Sequence, residues 1–186
     1  MIKLPFFPIV QTSYGGNQAW FSAPRMRGDG CGVIAGTNLF FYYKKREKVS
    51  KGEYMQRAHL VYESLSPLHF FNPFSKVNSY GLPFFKRTME RVGRMIGKEP
   101  VILKGKNLYR AKTFIRKNIL QGHPVVLLII FNRNIGPLSN HYVTITSFRD
   151  EGEFRVGFST WGRYEERNLA ELLEGSFIVR MGAFND

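Results

Sequence analysis

The stretch from Gly32 to Lys45 is apolar on nearly every side, and it constrains this chain more than any other feature. Val33, Ile34, Ala35, Leu39, Phe40, Phe41, Tyr42 and Tyr43 leave almost no polar face. A helix of this kind must be covered all round, which predicts a helix at the centre of a domain. Its first turn uses small residues, Gly32, Ala35 and Gly36. Glycine inside a helix costs about 0.5–1 kcal/mol relative to alanine, so close packing or close approach of a substrate is expected there.

Helices are predicted around it. Ser50 and Glu53 form a capping-box pattern that opens a helix to about Leu65, closed by Ser66-Pro67. Asn72-Pro73 and Asn78 to Gly81 read as loop, and the Phe-rich stretch from Pro67 to Phe85 as core packing. Pro83 suits a first helical position, Phe85, Met89, Val92 and Ile96 keep helical spacing, and Gly97 stops the run. Asn107 caps a further helix that ends at Gly122. Val101 to Leu103 is a short strand. The C-terminal third reads as sheet: a buried strand from Pro124 to Phe131, an alternating strand from His141 to Phe148, and a return strand from Glu153 to Ser159 after the turn at Asp150-Glu151-Gly152. A short helix over Asn168–Leu173 and a strand over Ser176–Met181 complete the chain. Met1 to Pro24 reads as an extended strand and long loop, and Arg25 to Gly30 as a second turn-rich stretch. Helices first and antiparallel sheet second give an α+β fold.

The chain has 186 residues, the size of one domain spanning 1–186. No apolar run approaches the roughly 18–20 residues that cross a bilayer, and Met1 to Val10 does not read as a secretory signal, so a cytoplasmic protein is expected. The net charge of +13 is uneven. Residues 84–117 hold eleven basic groups and two acids (+9), and residues 150–186 four basic groups and eight acids (−4). The basic segment either solvates helix faces or attracts an anionic partner. Nucleic acid is not favoured, because those helices carry no aromatic stacking platform or groove-reading pattern.

Cys31 is the only cysteine. It can make no intramolecular disulfide and no multi-cysteine metal site, so it is buried filler or a reactive thiol. Gly30 and Gly32 flank it at the start of the apolar helix. Unpaired N–H groups and the helix dipole stabilise a thiolate there, which predicts a thiol titrating toward or below neutrality. The Cys31 N–H can also face a developing oxyanion. A thiolate needs a base. His59 reads as an edge residue, His69 as packing and His123 as a helix-end contact. His141 opens a strand after the turn-like Gly136 to Asn140, on the same face as Val143 and Ile145. The hairpin returns Ser159 and Thr160 beside it, so either hydroxyl can bond the imidazole, with Trp161 as a shield. No His or Glu pair has metal-ligand spacing, and no cofactor is expected.

The order of these residues resembles the papain-like cysteine peptidases. In that clan a cysteine begins the central helix, an "Asn-His" segment supplies the base, and "Asn-Ser-Trp-Gly" supplies the residue that orients it. Asn140-His141 and Ser159-Thr160-Trp161-Gly162 are similar in type and spacing. The closer resemblance is to the bacterial leader peptidases that cut bacteriocin precursors after double glycine, and to their stand-alone relatives. Those begin with an apolar strand ending in Gln, as Leu4 to Gln11 does here, and continue to Gly-Cys-Gly. Gly122-His123-Pro124-Val125 resembles their strand entry before the histidine.

The resemblance implies a papain-like fold whose central helix starts at Cys31 and packs on a C-terminal antiparallel sheet. It implies catalysis by Cys31, His141 and Ser159, with Ser159 standing where the family usually has Asn or Asp. Gln11 is the implied oxyanion-hole residue, with Gln18 the alternative, and Gly30, Gly32, Asn140 and Trp161 line the substrate. The implied activity is cleavage of a peptide or amide bond by a Cys–His pair, as a peptidase or acyltransferase. The alternative is a catalytically impaired binding module that engages an anionic partner through residues 84–117.

Overall fold

A computed structural model of the protein describes residues 1–65 and 85–185. In chain order the elements are β1 (Ile2–Lys3), β2 (Ile9–Val10), β3 (Ser13–Tyr14), α1 (Pro24–Asp29), α2 (Cys31–Tyr43), β4 (Lys48–Val49), α3 (Lys51–Leu65), α4 (Phe85–Ile96), β5 (Pro100–Lys104), α5 (Leu108–Leu120), β6 (Val125–Ile130), β7 (His141–Glu151), β8 (Glu153–Thr160), β9 (Arg163–Asn168), α6 (Leu169–Glu174) and β10 (Ile178–Phe184). A largely helical first half packs on an antiparallel sheet of order β5-β10-β6-β7-β8-β9. β1 pairs with β7 at Ser147 and Phe148, where β6 has run out. The first half also holds a small sheet of order β3-β2-β4.

α2 lies at the centre, as its all-round apolar pattern demands. One side meets α3, where Val33, Ile34 and Phe41 pack with Tyr54, Ala58 and Val61. The other meets the sheet and α4, where Ala35 and Leu39 pack with Val126, Leu128, Tyr142, Met89 and Val92. Each of the Val, Leu, Ile, Phe and Met side chains among them stabilises the fold by about 1.5–3 kcal/mol on full burial. Gly36 is small because two helices converge on it. A Cβ there would sit 2.8 Å from Val92 Cγ2 and 3.2 Å from Val61 Cγ1. The opposite face of the sheet carries Val125, Leu127, Ile129, Val143 and Ile145, covered by α5 and α6.

The predicted punctuation forms. Ser50 Oγ accepts the Glu53 N–H at 3.2 Å, although the Glu53 carboxylate pairs with Arg46 at 3.0 Å instead of closing the capping box. Asn107 caps α5 by accepting the Arg110 N–H at 2.9 Å. Gly97 and Gly122 follow their helices at positive φ, +74° and +79°, where glycine is unstrained. Two elements differ from expectation. Residues 24–29 form α1 rather than a turn, with Pro24 in the first turn and buried Met26 as its anchor. Six residues with one apolar anchor give no periodicity to read. β9 is wholly polar apart from Tyr164, so it shows no apolar alternation, yet it closes the sheet edge against β8. The expected stop at Ser66-Pro67, the loop at 72–81, Pro83, His69 and most of the Phe-rich stretch lie outside the described residues.

Candidate active site

Cys31 stands where two helices meet at Gly30. The Gly30 N–H closes α1 on the Met26 carbonyl at 2.8 Å, and the Gly30 carbonyl accepts the Ile34 N–H of α2 at 2.9 Å. A Cβ on Gly30 would lie 2.4 Å from the Met26 oxygen and 2.9 Å from the Phe21 ring. Glycine is therefore required by this corner itself. Gln18 braces it from outside: buried beneath, its Nε2 donates to the carbonyls of Arg27 at 2.7 Å and Gly28 at 3.1 Å. The thiol is half-buried and lines a narrow cleft with Gln18, His141, Thr160 and Trp161.

Burial pushes the Cys31 thiol up to about 11, with Asp29 adding to the rise. The backbone N–H groups of Tyr142, Gly32 and Cys31 itself pull the other way. The expectation of a thiol titrating toward neutrality is thus corrected. The helix N–H groups do act on the sulfur, but removal from water outweighs them.

His141 opens β7. Its Nε2 is 2.9 Å from Thr160 Oγ1. The ring stacks on Trp161, with centroids 4.2 Å apart and planes 19° apart. The side chain is 4% exposed, and burial lowers its pKa to about 4. At neutral pH the resting pair is a neutral thiol and a neutral imidazole.

The hydroxyl beside the imidazole belongs to Thr160, and that of Ser159 points elsewhere. Ser159 Oγ donates to the Tyr14 carbonyl at 2.7 Å. The cause is an irregularity in β7. From the hairpin turn up to Ser147↔Gly157 the strands pair in one register; past Thr146 it shifts by one, giving Ile145↔Phe158 and Thr144↔Ser159. A slip of one residue moves a side chain to the other face of the sheet. Without the bulge Ser159 would lie opposite Ile145, on the His141 face. With it, Ser159 shares the α2 face with Thr144, and Thr160 takes the place beside the imidazole.

The remaining predicted residues are placed as follows. Gln11 is exposed in the β2–β3 turn at φ +57° and lines a surface groove with Ile9, Glu47 and Val49, away from Cys31. Gln18 is the glutamine of the cleft. Asn140 is exposed at φ +57°, and its Oδ1 accepts the Phe131 N–H at 2.9 Å, which ties the entry of β7 to the end of β6. Trp161 sits at φ +45° and accepts the Asn17 Nδ2–H at 2.9 Å through its carbonyl. Gly32 is buried in the first turn of α2. His59 packs edge-on to Phe21, and His123 Nδ1 is 3.3 Å from the Tyr43 hydroxyl; neither lines the cleft. Among the described residues no cluster of three or more His, Cys, Asp or Glu could hold a metal ion, and no helix is long and apolar enough to cross a membrane.

The architecture matches a crystal structure from Bacillus anthracis, of a protein provisionally classed as a C39-like peptidase. The match covers 96% of this chain and 97% of that one, with a TM-score of 0.55 and 12% sequence identity. The fold is that of the papain-like cysteine peptidases. Within the papain-like fold, Cys31 at the head of the central helix and His141 at the head of a sheet strand face one cleft. No protein-family model matches the sequence, and no curated protein matches it.

Proposed function

We propose that the protein is a thiol-dependent acyl-transfer enzyme acting on a peptide or amide bond. The observation that carries this reading is the His141 imidazole, held by Thr160 and stacked on Trp161 in the cleft that Cys31 lines. In this reading Cys31 is the nucleophile, His141 the general base, and Thr160, rather than Ser159, orients the ring. The two pKa shifts favour base-assisted attack over a standing ion pair. As Cys31 Sγ bonds to the substrate carbonyl carbon, its proton passes to His141. His141 then protonates the departing amine, and the C–N bond breaks to leave a thioester. Water, or an acceptor amine, releases the acyl group and returns Cys31 to the thiol.

The Cys31 N–H faces the oxyanion. Gln18 acts as a positioning residue: with its amide hydrogens on the Arg27 and Gly28 carbonyls, it holds the corner that aims this N–H. Incubating the protein with a peptide library, alongside Cys31→Ala and His141→Ala, tests the reading. Cleavage by the wild type alone is expected; products that persist in Cys31→Ala contradict it.

Two observations favour a second reading, a catalytically impaired binding module. Thr160 offers a hydroxyl where a carboxylate or amide would hold the imidazole more firmly, and the resting thiol is unionised. An anionic partner would then meet the exposed cations of residues 84–117, among them Arg94, Lys104 and Arg110.

A further inference from the structure

The end of α2 farthest from Cys31 carries an open groove of about 400 Å³ against α3, within the size range of clefts that hold ligands. Phe40, in its wall, lies about two and a half turns, or about 14 Å, along α2 from Cys31. Neither Cys31 nor His141 lines this groove. Phe40 and Leu60 give it apolar walls, and Leu60 is 44% exposed. Lys44, Arg46 and Arg57 also line it, against a single carboxylate, that of Glu53, among its described lining residues. Arg46 holds Glu53 in a two-bond fork at 3.0 and 3.1 Å. Among the described residues Lys44 and Arg57 make no ion pair; they stand over the Phe40 ring instead, 6.0 and 4.1 Å from its centroid. Such contacts contribute about 0.5–1 kcal/mol at exposed sites, less than the roughly 1.5–3 kcal/mol of a hydrogen bond to a charged group. Two cations are therefore available to a carboxylate beside an apolar wall. The carbonyls that end α2 do not oppose an anion: those of Phe40, Phe41 and Tyr42 accept the N–H groups of Lys44, Arg46 and Lys45 at 3.0, 2.9 and 2.9 Å. Gln56 adds an exposed amide to the same groove, a donor and an acceptor of the kind a peptide bond pairs with.

We propose that this groove docks an acidic peptide segment of a partner protein, with a Leu or Phe side chain against Phe40 and Leu60 and a neighbouring carboxylate on Lys44 and Arg57. Charge complementarity chooses the occupant. Residues 66–84, which follow α3 in the chain, contain no Asp or Glu and cannot supply the carboxylate. The groove lies outside the basic segment 84–117, and the proposal does not depend on Cys31 and His141 being catalytic.

Calorimetric titration with the peptide acetyl-Glu-Leu-Phe-Asp-amide tests this, on the full chain carrying Cys31→Ala so that cleavage does not intervene. Binding is expected at low salt and should weaken as salt rises. Arg57→Gln and Lys44→Gln should each weaken it about tenfold, the effect of one hydrogen bond between charged groups. The neutral peptide acetyl-Gln-Leu-Phe-Asn-amide, equal in shape, should bind at least about tenfold more weakly. Arg57 packs on Phe40, so the Tm of each variant is measured alongside, and Lys44→Gln, at an exposed position, carries the test if Arg57→Gln loses stability. No binding up to about 1 mM peptide overturns the proposal, as does equal affinity for the neutral peptide or full affinity in both variants. Affinity that falls only in Arg94→Gln places the contact on the segment 84–117 and overturns it too. So does either other occupant in place of the peptide: phosphatidylserine vesicles that co-sediment with the protein, or dimers in sedimentation velocity, abolished by the same two substitutions.

Discussion

Two buried groups set the character of the site at the residue scale. The pKa of His141 falls from 6.5 to about 4 on burial. The unfolded chain therefore takes up a proton near pH 6.5 that the folded protein refuses until about pH 4. Stability is fully present above pH 6.5 and declines across that window, by about 3 kcal/mol in all. Urea unfolding at pH 7 and pH 4 should show this loss, and His141→Gln should flatten that part of the profile. Cys31 has the opposite sign: its folded pKa is raised from 9.0 to about 11, so its contribution is complete below pH 9 and is lost as pH rises through 11. The two hydroxyls separate cleanly. Thr160→Val should slow Cys31 alkylation at pH 7 about two- to tenfold, as the ring loses its anchor. Ser159→Ala should leave that rate within about twofold while costing roughly 1 kcal/mol of stability through the Tyr14 carbonyl.

At the scale of elements, the loop after β3 pins the sheet to the central helix. Asn38 of α2 is buried, and its Oδ1 accepts the Gly16 N–H at 3.0 Å and the Tyr54 hydroxyl at 2.7 Å. Gly15 passes between α2 and β8 at φ +75°, where a Cβ would meet Ser159 Oγ at 2.6 Å and Asn38 at 2.9 Å. Gly15→Ala should cost about 2–3 kcal/mol through the added strain and overlap. Tyr54→Phe should cost about 1–2 kcal/mol, because it leaves the buried Asn38 carbonyl short of a donor. Chemical denaturation of each variant measures both.

The same scale separates what could be read in the sequence from what could not. α2, α3, α4, α5 and the β6–β7–β8 meander announce themselves through apolar periodicity and through Ser50, Asn107, Gly97 and Gly122. Cys31 and His141 stood out as candidates only in company, because a lone cysteine is equally buried filler and a histidine at a strand start is more often structural; their order along the chain singled them out, and the structure places both on one cleft. Thr160 was open beside Ser159 until a family pattern chose the serine. The bulge at Thr146 reverses that choice, and nothing in Ile145-Thr146-Ser147 marks it. The preference for Gln11 followed motif order along the chain. The distinguishing feature is local: Gln18 sits in a 3-10 turn capped by Asn17, which accepts the Ala19 N–H and folds the glutamine under α1.

Over the whole molecule, basic charge is concentrated at one side of the sheet. β5 forms one edge and belongs with α4 and α5 to the basic segment, whereas β9, whose Glu165 and Glu166 balance Arg163 and Arg167, forms the other. A protein polarised in this way should bind heparin at low salt, and Arg94→Gln with Arg110→Gln should lower the salt needed for elution. Unchanged elution would place the polyanion contact elsewhere.

The central claim is that Cys31 and His141 act as one unit, and the pH dependence of Cys31 alkylation by iodoacetamide tests it most directly. With His141 as base, the wild-type rate should hold a plateau from about pH 5 to pH 9 before rising toward a midpoint near 11. In His141→Ala the plateau should vanish and the rate should climb about tenfold per pH unit. Superimposable profiles for the two proteins, with an ordinary thiol midpoint near about 8.5, would contradict the account.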